Sequence, residues 1–128
     1  TLLSAQAPAE QQMIEFGHAK WEQLPKLERS GQSLPYVRMV EMAELVLKEK
    51  QCRIEGQNAD EFDIVIPYAV FLDANGKAER VLVEDMGCAP LQNMIGEVAY
   101  QLSERGDFRP GSAGAGRWYA DRINLTLQ

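Results

Sequence analysis

The sequence predicts an α+β fold: a three- or four-stranded antiparallel sheet with helices packed on one face, in the order α-α-β-β-α-β. Three observations carry this. Two β-patterned runs, residues 64–72 and 78–83, flank the turn Asp73-Ala-Asn-Gly76. Leu91, Met94, Ile95, Val98 and Leu102 form an apolar stripe at helical spacing, closed by Gly106. The last eleven or so residues alternate again, with Tyr119, Ile123, Leu125 and Leu127 on one face and Arg122, Asn124 and Thr126 on the other.

The elements follow in order. Residues 8–24 read as a first helix: Pro8 suits a first turn, Ile14, Gly17, Trp21 and Leu24 recur at helical spacing, and Pro25 ends the pattern. A polar connection over 26–33 leads to a second helix, with Ser33 as a candidate cap, Pro35 in its first turn, and a stripe of Tyr36, Val40, Ala43 and Leu47. Residues 52–56 read as the start of a strand and 57–61 as a polar link. From Phe62 the period becomes two: Phe62, Ile64, Ile66, Tyr68, Val70 and Leu72 share a face. The opposite face (Val65, Ala69, Phe71) is also apolar, which predicts that part of it is covered. Pro67 cannot donate to a ladder, so an edge or a bulge is expected there. Asn75-Gly76 is a hairpin signal because both residues tolerate positive φ. Gly87 and Pro90 open the third helix, and residues 111–116, Gly-Ser-Ala-Gly-Ala-Gly, read as a flexible loop before the last strand.

Length and composition bound the function. One domain is expected from 128 residues, with residues 8–51 as a helical N-terminal part. Apolar content of 45% and charged content of 25% are those of an ordinary globule. A formal net charge of -6, with no cluster of Lys and Arg, argues against nucleic acid. No stretch reaches the ~20 apolar residues that span a bilayer. Residues 1–7 read either as a signal-peptide remnant, with Ala5 and Ala7 as an A-x-A site, or as a disordered, trimmed start. Cys52 and Cys88 are the only cysteines; an even count in an exported chain permits one disulfide, which is preferred here to two unrelated buried thiols.

The residues offer little chemistry. His18 is the only histidine and has no recognisable nucleophile beside it in sequence. One His and two scattered Cys fall short of a zinc site, and no cofactor is expected. Asp60-Glu61 and Glu84-Asp85 lack calcium-loop spacing and read as charged strand ends. The glycine-rich loop lacks a Gly-Lys-Ser/Thr ending and leads into a strand, the wrong context for phosphate. Asn124-Leu-Thr126 matches a glycosylation sequon, a pattern common by chance. Phe108 reads as core; Trp118 is open between core and recognition patch. The chain therefore reads as a non-enzymatic protein.

From Arg53 onward the chain resembles the C-terminal domain of the TonB energy-transducer family. Arg53-Ile-Glu-Gly56 resembles the entry to that family's first long strand. Phe71-Leu-Asp-Ala-Asn-Gly-Lys-Ala78 resembles its hairpin, and Val81-Leu-Val83 its second strand. Residues 91–102 take the place of its helix. Phe108-Arg-Pro110, a glycine-containing loop and an alternating strand resemble its aromatic-x-Pro signature and last strand. The resemblance implies a periplasmic domain that recognises an extended segment of an outer-membrane transporter by edge-strand pairing. Residues 118–127 are then the candidate edge. Arg117, Trp118, Tyr119, Asp121, Arg122 and Ile123 are the candidate partner-binding residues, with Arg117, Asp121 and Arg122 setting register. Membrane contact would come only through an anchor upstream. A second copy of the chain is a further candidate partner. The alternative function is a periplasmic inhibitor or immunity-type protein acting through an acidic surface.

Overall fold

A computed structural model describes residues 13–55, 57 and 61–127. The architecture is α+β. Strand β1 (Ile14–Gly17) is followed by a 3-10 turn (Trp21–Gln23), β2 (Glu28–Arg29), α1 (Tyr36–Lys48), β3 (Phe62–Leu72), β4 (Ala78–Glu84), α2 (Ala89–Glu104), β5 (Phe108–Arg109) and β6 (Arg117–Leu127). The main sheet has four strands in the order β1-β4-β3-β6, and β2 pairs with β5 in a separate ribbon. β3 is antiparallel to both β4 and β6, but β1 runs parallel to β4, so the sheet is mixed.

The inner face of the sheet carries the core. Ile64, Ile66, Tyr68, Val70 and Leu72 of β3, Val81 and Val83 of β4, and Tyr119, Ile123, Leu125 and Leu127 of β6 are buried against both helices, as period-two alternation requires. The α2 stripe of Leu91, Met94, Ile95, Val98 and Leu102 is buried as its spacing predicts. Gly106 (φ +76°) ends α2 in a Schellman motif, its amide bonded to the Ser103 carbonyl and that of Asp107 to Leu102. The same motif closes α1 with Lys50 at φ +59°. A side chain pays about 1 kcal/mol for that conformation, so Lys50→Gly should stabilise the protein by up to about that amount in chemical denaturation.

The first helix is the main correction. Residues 8–12 lie outside the described residues, and 14–24 form a strand and a 3-10 turn instead of helical turns. The helical spacing arose because the apolar residues serve two opposite faces of the sheet. Ile14 faces α2, whose Gly96 leaves room: a Cβ there would sit 2.4 Å from Ile14 Cγ2. Trp21 faces the other side. It packs on Ala69 and Ala120, which are register partners on β3 and β6, with Ala19, Leu24, Leu82 and Trp118 around them. Two alanines opposite each other make a hollow in the outer face, and the indole fills it. Residues 18–27 thus run as a strap across that face, from the β1 edge to the β6 edge, covering the apolar patch anticipated there.

Other local expectations are adjusted. Residues 52–55 form no strand; Gly56 lies outside the described residues. β3 is an interior strand, yet Pro67 stands in the half that β4 does not reach, since pairing with β4 begins at Tyr68. The hairpin uses five loop residues, and only Gly76 (φ +78°) has positive φ. Asp73 holds the loop through Oδ1, which accepts from the Asn75 and Lys77 amides at 2.8 and 2.9 Å. A Cβ at Gly76 would meet the Phe108 carbonyl at 2.5 Å, so this glycine also admits β5. The glycine-rich loop is pinned: the Tyr119 hydroxyl donates to the Gly111 and Gly114 carbonyls, and the Gly116 amide bonds Leu72.

Cys52 and Cys88 are bonded, with Cα atoms 5.4 Å apart. The bond ties the chain after α1 to the start of α2. There the buried Gln92 accepts from the Met86 and Cys88 amides at 2.8 and 2.9 Å, taking the place of a capping side chain.

Candidate strand-edge binding site

β6 is an edge of the main sheet. In an antiparallel pair the backbone groups of alternate residues point toward and away from the partner strand. The Ala120 amide bonds the Pro25 carbonyl at 2.9 Å and its carbonyl accepts from Leu27 at 2.8 Å, on the side away from β3. Even-numbered residues of β6 therefore present their amides and carbonyls outward. At Ala120 the strap covers them, with Lys26 bridged in parallel to that residue. At Thr126 the outward amide donates to the Tyr36 hydroxyl at 2.9 Å. Between these two points, the outward backbone groups of Arg122 and Asn124 have no partner among the described residues. Pro67, opposite Arg122, has its nitrogen on the far side of β3 and costs the β3–β6 ladder nothing.

Each end of the open stretch has a hollow. Where the strap leaves β6, Trp21, Leu24, Lys26 and Arg122 help line a cleft of about 360 Å³. At the other end Tyr36, Val37, Val40, Glu41 and Thr126 help line one of about 270 Å³. Val37 is 68% exposed, and Met42 and Leu45 on the same helix are also exposed.

The six candidate partner-binding residues divide between the faces. Arg117 and Arg122 are exposed. Trp118 is half-buried on the outer face, edge-on to Phe71 at 5.5 Å and beneath the Arg80 guanidinium at 5.0 Å. Asp121 is half-buried and accepts a hydrogen bond from Tyr68 at 3.4 Å. Burial, and then the charge of Asp121, push the Tyr68 phenol far above its ordinary value, so it stays a donor. Tyr119 and Ile123 have buried side chains that serve the core, leaving no side-chain surface for a partner. The strap and Tyr36, which bracket the site, were not among the candidates. Val37, an apolar residue outside the buried α1 stripe, was the available signal for the Tyr36 end, and the strap had none.

The polar groups elsewhere are in structural use. His18 Nδ1 meets the Glu84 carboxylate, whose other oxygen accepts from Trp21 Nε1 at 2.5 Å, so both fasten the strap to β4. Asp85 accepts from the Gly87 amide at 3.0 Å. Asp60 lies outside the described residues. Asp107 is wholly buried and accepts from Arg29 Nε and Ser30 Oγ, both at 2.6 Å, and from the Gln32 amide at 3.0 Å. Burial alone would raise its carboxyl, but the hydrogen bonds from Ser30, Arg29 and Gln32 outweigh it and hold it below its ordinary value. Among the described residues no group of three or more His, Cys, Asp or Glu side chains is placed to hold a metal, and no helix is long and apolar enough to cross a membrane.

Comparison with protein-family models, with curated proteins and with solved structures finds no match.

Proposed function

We propose that this is a periplasmic, non-enzymatic protein-binding domain that captures an extended partner segment by adding it as a strand along β6. The observation that carries the reading is a pair of outward backbone positions, Arg122 and Asn124, without partners among the described residues, at a sheet edge bracketed by the strap and by Tyr36. Unpaired edge amides are templates for another chain. The disulfide fits an oxidising compartment. An outer-membrane transporter segment is the partner class that the resemblance to the TonB C-terminal domain implies.

Proline at Asn124 tests the reading. Its outward amide makes no ladder bond to β3, and its side chain is exposed. Asn124→Pro therefore removes a docking donor with little effect on the fold. In isothermal titration with synthetic peptides from the periplasm-facing segments of outer-membrane transporters, affinity should fall by roughly tenfold or more. Peptide binding that tolerates Asn124→Pro, or a dimer paired through β6 that excludes peptides, would remove the reading.

A further inference from the structure

We propose that the β6 edge selects its partner through two side-chain anchors of different chemistry. One is an apolar side chain seated against Trp21 and Leu24; the other is a Lys or Arg seated against Tyr36 and Val37 beside Glu41. The proposal rests on the strand-pairing reading and names the segment that reading leaves open.

The geometry sets the spacing. The open edge runs from Arg122 to Thr126, four residue steps, or about 13 Å of strand. A segment of five or six residues spans it and reaches both hollows. The strap crosses the outer face of the sheet, whereas α1 packs on the inner face. Successive side chains of a strand point to opposite faces. One anchor on each face must therefore be separated by an odd number of residues, and the length of the edge selects three or five.

The chemistry differs at the two ends. At the strap the cations Lys26 and Arg122 are matched by the carboxylates Glu22 and Asp121 around the Trp21 and Leu24 walls. Balanced charge over an apolar wall favours an uncharged, apolar side chain. At α1 the apolar walls Tyr36, Val37 and Val40 lie beside the carboxylate Glu41, and no Lys or Arg among the described residues lines that cleft. A Lys or Arg can lay its stem on those walls with its cation at Glu41. The net charge of -6 favours the same sign of partner.

Random peptides displayed on phage and selected on the full chain should converge on an apolar residue and a Lys or Arg three or five positions apart. By fluorescence anisotropy, Glu41→Lys should weaken the selected peptides on the order of tenfold, and exchanging their basic residue for Glu should restore binding to that variant. Leu24→Ala should weaken peptides with a large apolar anchor and leave those with Ala there unchanged. Peptides that Asn124→Pro abolishes, but that lack the paired anchors or bind Glu41→Lys as well as the parent, would overturn the anchors and leave strand pairing standing. Selected peptides indifferent to Asn124→Pro, or none selected, would remove both.

Discussion

Replacing Cys52 and Cys88 together by alanine should destabilise the protein by about 3–4 kcal/mol and lower its midpoint of thermal unfolding by roughly 10–15 °C. The bond closes a loop between cysteines 36 residues apart, and cross-linking removes that freedom from the unfolded chain. The loop contains β3 and β4's hairpin and the long connection after α1, so losing the tie frees much of the chain. The folded state has less to lose. Cys88 is buried and Cys52 packs against the core at its margin, leaving room for two alanines. Calorimetry of the parent with and without dithiothreitol, and of the double variant, checks this. Reduction should move the parent to the position of the variant and leave the variant where it is. A parent indifferent to reduction would show that the bond contributes nothing to stability.

The parts of the fold legible in sequence are those where one period runs unbroken. β3, α2 and β6 each bury one main face, with Ala69 and Ala120 under the strap as the exceptions, so alternation or the helical stripe identifies both the element and its inward residues. The alternation of β6 also contained a warning. It placed Tyr119 and Ile123 on the face of Leu125 and Leu127, which is the core, and a partner-facing role for those two side chains conflicts with that pattern. The segment before α1 was illegible for a physical reason. Ile14 and Trp21 bury on opposite sides of one sheet, and their spacing imitates a helix. What decides against a helix lies far along the chain. The free edge of β4 accepts β1 in parallel, Gly96 makes space for Ile14, and the Ala69–Ala120 hollow receives Trp21. None of these can be read locally. The strap therefore escaped notice, and with it the feature that delimits the candidate site. That β6 lies at an edge was anticipated; that Arg122 and Asn124 lie open between two closed positions among the described residues depends on where the strap ends.

Asp107→Ala should cost about 3 kcal/mol or more, because it leaves Arg29 without its partner and removes three hydrogen bonds from a buried carboxylate. The effect should reach the strap. Asp107 holds residues 29–32, which follow directly on the Pro25–Leu27 bridge to Ala120. Hydrogen exchange at the Leu27 amide, bonded to the Ala120 carbonyl, should accelerate more than at β3 amides. The same group makes stability depend on pH in a predictable direction. The folded protein holds the carboxyl below its ordinary 3.8. The unfolded chain therefore takes up the proton first as pH falls. The contribution is complete at neutral pH, begins to fade near the ordinary carboxylate range, and is lost as pH drops through the depressed folded value. Asp107→Asn keeps the shape without the charge, so the stability gap between parent and variant should be widest at neutral pH and narrow below about pH 4. Urea midpoints measured from pH 7 to pH 3 would show it. A gap that stays constant would mean that folding leaves the carboxyl at its ordinary value, so that its hydrogen bonds do not favour the charged form. A gap that closes while Leu27 exchange is unaffected would confine the clasp to the β2–β5 ribbon and detach it from the edge that a partner must reach.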